Sequence, residues 1–169
     1  MTADALRAAL RVEYQVVYGY GIVGAHLRDH DQKYAADRLA AHQLLRDSLI
    51  ALDTGDTEPP IAQPAYRPPF PVTDATSALA LAIRLEDAAA GAAWDVIATE
   101  RARSQARKIA VPALGDVATA AAHWRVRAGV TDDPALPGAP PGTAQASSQP
   151  STTPTTSPSP VTTASGSTS

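Results

Sequence analysis

Apolar residues return every three or four positions in four separate stretches of this chain, and each stretch reads as an amphipathic helix. The first runs from Ala3 to Leu27 and carries Leu6, Leu10, Val17, Tyr20 and Leu27 on one side. After a short break at Arg28 to Asp31, a second runs to about Leu52, with Ala35, Leu39, Leu45, Leu49 and Leu52 aligned and Gly55 as its stop. A third starts near Thr73 and Asp74, both favourable N-cap residues, and aligns Leu79, Ile83, Ala90, Ala93 and Ile97. The fourth begins near Ser104 and ends by Gly129, with Pro112 inside it expected to bend it. An alternative boundary continues the third helix to Lys108 and opens the fourth at Pro112, a favoured first position.

Between the second and third stretches lie Pro59, Pro60, Pro64, Pro68, Pro69 and Pro71, which fit neither a helix nor the interior of a sheet. Thirteen extended residues span roughly 40 Å at about 3.1 Å each. A helix of 22 to 25 residues is about 35 Å long. The proline-rich connection is therefore long enough to run the length of a bundle and return the chain to the end where the second helix began. The chain is thus expected to be all-α, with two helical hairpins joined by one long crossover over residues 1–130. Beyond Asp133 nothing is charged, and from Thr143 to Ser169 the composition is mostly Ser, Thr and Pro. Residues 131–169 accordingly read as a disordered tail, a solubilising spacer with almost no apolar surface to bury.

Composition narrows the class. The chain is 44% hydrophobic but only 5% aromatic, and alanine supplies much of the apolar content, which suits closely packed helices. A net charge of -3 provides no field that would draw the protein to nucleic acid or to a membrane. With no cysteine, thiolate metal sites, disulfides and thiol catalysis are excluded. The N-terminus lacks the basic segment and apolar run of a signal peptide, and no stretch is long enough for a membrane span, so a cytoplasmic location is the default.

Four polar residues interrupt the apolar stripes: Glu13, His42, Glu86 and His123. A titratable group in such a position costs several kcal/mol unless it is paired, hydrogen-bonded or bound to a metal. Two residues of a helical hairpin are level when they are equidistant from its turn. The midpoint of Glu13 and His42 falls between Leu27 and Arg28, beside the first turn; that of Glu86 and His123 falls between Ser104 and Gln105. All four groups are therefore expected to meet at one level in the centre, which favours the boundary at Ser104.

Di-iron ferritin-like bundles take a lone Glu from each of two helices and a Glu-x-x-His pair from each of the other two, around one long crossover. Glu13 and Glu86 stand where the lone glutamates would be, and His42 and His123 where the histidines would be, so the chain resembles a ferritin-like four-helix bundle over residues 3–128. More specifically, Glu13 followed by Tyr14, and the Tyr-Gly-Tyr-Gly run from Tyr18, resemble a small uncharacterised ferritin-like domain family of high-GC bacteria. The departure from the di-iron pattern matters as much: positions 39 and 120, where bridging carboxylates belong, hold Leu39 and Ala120. Ferroxidase or di-iron oxygenase chemistry is not expected of such a centre.

Three readings of the cluster follow: a hydrogen-bonded or ion-paired network, a mononuclear site in which the four residues bind one iron, manganese or zinc ion, or a small-molecule pocket between helices. With the first, the protein would be an interaction or structural module, compatible with a homodimer. Other motifs lead less far. The run from Gly19 to Gly24 matches G-x-G-x-x-G, yet no second strand follows, so close helix contact is the expected role of its glycines. Arg101, Arg103, Arg107 and Lys108 form a basic run without interleaved aromatics, the pattern of a solvated turn. His26 and His30 flank the first turn and are expected to be exposed.

Overall fold

The computed structural model describes residues 2–52 and 58–131, and in these the regular structure is four helices with no strand. They are α1 (Thr2–His26), α2 (Asp29–Leu52), α3 (Ala75–Thr99) and α4 (Gln105–Ala128). Helices of 24 or 25 residues are about 36 Å long. The stop expected at Gly55 and the tail from residue 132 onward lie outside the described residues.

Local chemistry sets the boundaries. The expected break at Arg28 to Asp31 shrinks to Leu27 and Arg28, because helix α2 starts again at once. Asp29 enters with a positive φ of 50°, a conformation that Asp tolerates better than most residues. Asp29 and Asp31 then place acidic groups in the first turn, where the helix dipole favours them. Helix α3 is opened by a reciprocal cap: Ser77 N–H donates to Asp74 Oδ1 at 2.8 Å, and Asp74 N–H to Ser77 Oγ at 3.1 Å. Ser104 caps α4 by accepting from Arg107 N–H at 3.1 Å. Gly129 ends it in the left-handed conformation, with Val130 N–H reaching back to the Arg125 carbonyl at 2.9 Å. Helix α4 therefore spans Pro112, as the boundary at Ser104 requires.

Helix α1 packs extensively on α2 and α3, and α3 on α4, whereas α2 and α4 touch only sparsely. The crossover lies against α1 and α3. Tyr66 meets Tyr18 edge-on at 5.6 Å, and Phe70 and Val72 pack on the apolar core. Gly19 allows the closest approach of α1 to α3, since a Cβ there would stand 2.7 Å from the Leu85 methyls. No contact of this kind surrounds Gly21 or Gly24, so the structural role expected of the glycine run rests on its first member. The core divides into two clusters. One, at the α1–α2 turn, contains Val16, Tyr20, Val23, Leu27, Ala82 and Trp124; the other, at the opposite end, contains Leu6, Leu10, Leu49, Val96 and Ala110. Buried Glu13 lies between them on α1, after Leu10 of one cluster and before Val16 of the other.

Candidate functional site

Three of the four interior polar residues converge. Glu13, His42 and Glu86 are no more than 3% exposed, and His42 bridges the two carboxylates. Its Nδ1 is 2.8 Å from Glu13 Oε2, and its Nε2 is 3.4 Å from the Glu86 carboxylate. The Glu13–His42 pair sits where the hairpin register places it, because the α1–α2 connection is centred between Leu27 and Arg28.

The fourth member is Arg38, one turn before His42 on α2. It is 6% exposed and faces Glu86 with two nitrogens, Nε at 2.9 Å and Nη2 at 3.3 Å. Its Nη1 points the other way and donates to Asp116 Oδ2 of α4 at 2.7 Å. Nη2 also stands 3.3 Å from His42 Nε2, so that nitrogen lies between a donor and an acceptor. When neutral and protonated on Nδ1, His42 accepts there from Arg38; when doubly protonated, it donates towards Glu86. Tyr20 O–H completes the shell by donating to Glu86 Oε1, and Trp124 Nε1–H donates to the Tyr20 oxygen at 2.9 Å.

The electrostatics follow from this arrangement. Desolvation acts to lower the His42 pKa, but the hydrogen bonds to Glu13 and Glu86 and the attraction of both carboxylates outweigh it and raise the pKa to about 9. Glu86 likewise overcomes desolvation at Arg38 and holds its pKa above the usual guanidinium value. Burial and the neighbouring Glu86 push the Tyr20 hydroxyl well above 10.0, so it remains a donor. With His42 protonated, two carboxylates face two cations and the interior centre is neutral.

His123 is elsewhere, which corrects the expectation that it joins this level. The α3–α4 connection is centred on Ala102, so Ala118 is level with Glu86, and His123 lies five residues farther along, about 7.5 Å by the helical rise. It also points aside. Val117, Ala120, Ala121 and Trp124 form the buried stripe of α4, while Val126, three residues beyond His123, is 78% exposed. The His123 ring lies 4.0 Å from the Tyr34 ring and next to Trp124, and its Nε2 is buried without a hydrogen-bond partner among the described residues. Burial accordingly lowers its pKa, with Asp31 opposing. His30, expected to be exposed, is open to solvent, and His26 is half-buried with Nδ1 3.0 Å from the Ile22 carbonyl.

Arg38 and Trp124 escaped the sequence reading. Arg38 was legible in principle, because it precedes His42 by four positions and follows Ala35 by three on the same helical stripe. Trp124 follows Val117 by seven positions and Ala120 by four, which is the same signal.

Fold and centre define a four-helix bundle with one long crossover, closed around a buried ionic network. The chain belongs to the family described as Domain of unknown function (DUF4439), whose model matches residues 5–141. It is similar in structure to a conserved hypothetical protein, rv2844, from Mycobacterium tuberculosis, with a TM-score of 0.69 and 34% sequence identity over 75% of this chain and 96% of that one. No curated protein matches it. No described helix is long and apolar enough to cross a membrane.

Proposed function

We propose that the chain is a ferritin-like bundle in which a guanidinium takes the place of metal, and that it serves as a binding or interaction module rather than an oxidase. The observation that carries this reading is Arg38, which faces Glu86 with Nε and Nη2 and contacts His42 at the centre of the bundle. A buried carboxylate needs a counter-charge and donors, and Glu86 has both from Arg38 and Tyr20. A divalent ion would have to displace Arg38 and leave that cation buried without its partner. Among the described residues no three His, Asp or Glu groups are arranged to hold a metal ion. The positions of Leu39 and Ala120 also support this reading, since neither offers a bridging carboxylate.

A second reading keeps a single iron, manganese or zinc ion on Glu13, His42 and Glu86, because their nitrogen and oxygen donors lie together and shielded from water. Metal analysis of the tag-free chain, after loading with each ion, separates the two. The guanidinium reading expects less than about a tenth of an equivalent and no rise in melting temperature. Near-stoichiometric metal that a Glu13→Ala, His42→Ala variant loses overturns it in favour of the mononuclear site.

A further inference from the structure

The sparse α2–α4 contact leaves a pocket of about 240 Å³ that leads from the surface to the outer face of the ionic centre. Its walls are apolar, with Leu45 on one side and Pro112, Ala113 and Val117 on the other. Arg38 and His42 lie at its inner end, and Asp116 also lines it.

The two faces of Arg38 differ. Nε and Nη2 are committed to a fully buried carboxylate, whereas Nη1 bonds a carboxylate whose side chain is 60% exposed. Asp116 can turn into water readily, because most of its own side chain is already solvated. Arg38, with its side chain 7% exposed, cannot follow it. A charged donor nearly out of water, with an exchangeable anionic partner and an apolar chamber beside it, is a carboxylate receptor in its elements.

We infer that the α2–α4 pocket binds a small monocarboxylate with an apolar body, whose carboxylate replaces Asp116 on Arg38 Nη1 while its body fills the space along Leu45, Pro112 and Val117. The exchange conserves charge, one carboxylate for another. A dianion or phosphate is disfavoured, because Glu86 and Glu13 already lie behind Arg38. An alcohol of the same length loses the charge-assisted bond. The pocket is smaller than most drug-sized sites, so it suits about ten heavy atoms or fewer. This inference requires Arg38 to keep its place beside Glu86, as in the metal-free reading. Metal content and carboxylate binding are separate readouts, so failure of one is distinguishable from failure of the other.

The test titrates the full-length chain with butanoate, hexanoate, octanoate and 1-hexanol, following the Arg38 Nε–H and Trp124 Nε1–H resonances by NMR. Hexanoate is expected to saturate the protein and to bind at least about tenfold tighter than hexanol. Asp116→Ala, which vacates Nη1, should tighten hexanoate several-fold, a gain that loss of a merely structural ion pair would not give. Ala113→Leu, which fills the chamber without touching the network, should abolish binding in a protein that remains folded by circular dichroism. No saturation below about 20 mM, equal binding of hexanoate and hexanol, or weaker binding in Asp116→Ala would overturn the inference.

Discussion

His42 and His123 lie on helices of the same bundle, the first fully buried and the second half-buried, and their surroundings drive them in opposite directions. Two carboxylates bracket the His42 ring and raise its pKa to about 9. The His123 ring rests on Tyr34 and Trp124, with no carboxylate bonded to its buried Nε2, and its pKa falls. A titratable group in a core is therefore not a site by virtue of burial. It becomes one where the helical register brings a partner level with it, and α4 is five residues out of step for His123.

The largest test of this contrast removes the carboxylate that the network shares. Glu86→Ala leaves Arg38 and the Tyr20 hydroxyl buried without their acceptor, and should cost about 3–5 kcal/mol in urea unfolding. His123→Ala should cost about 1 kcal/mol, mostly packing. Equal costs for the two variants would break the contrast.

Proton linkage gives the next effect, with opposite signs at the two rings. For His42 the folded value lies above the unfolded 6.5, so its contribution is fully present below about pH 6.5 and is lost as pH rises through about 9. The loss should approach about 3 kcal/mol and be missing from His42→Phe. The lowered folded value of His123 has the reverse consequence: stability is retained above pH 6.5 and declines as pH falls below it. Histidine NMR titrations read both directions, and His42 titrating below 6.5 would contradict the raised value.

Tyr20→Phe is a smaller perturbation. It deletes the hydroxyl between Trp124 and Glu86 and strands a buried indole N–H, a cost of about 1–2 kcal/mol with a change in Trp124 emission. The smallest effect should be His123→Phe, which keeps the aromatic contact with Tyr34 and removes the unbonded Nε2. Thermal unfolding should show it neutral or stabilising by about 0.5 kcal/mol, whereas His42→Phe is strongly destabilising.

Much of this architecture was legible in the residues. The spacing of apolar positions located four helices, Asp74, Ser104 and Gly129 marked ends that the structure retains, and the prolines marked the crossover. The register of the first hairpin was equally readable, because the short break expected at Arg28 to Asp31 leaves its centre little room to move. The second was not. Residues 100–104 could centre the turn at several places, and a shift of the centre by two or three residues moves the residue opposite Glu86 by twice as much. Arg38 was passed over for a different reason: a long cationic side chain on an apolar stripe ordinarily extends to water, and only the placement of Glu86 on α3 turns it inward.

The faces that join α3 to its neighbours are lined with Ala78, Ala82, Ala89, Ala90 and Ala93. Methyl-sized ridges at such regular intervals fit one another almost as well after a slip of one helical turn, about 5.4 Å. Apolar contact alone would leave several alignments close in energy. The Glu86 carboxylate removes that degeneracy, since a one-turn slip of α3 would carry it out of reach of Arg38, His42 and Tyr20 together and strand charge in the interior. The ionic centre thus acts as an alignment pin, and a bundle rich in alanine gains a single way to close.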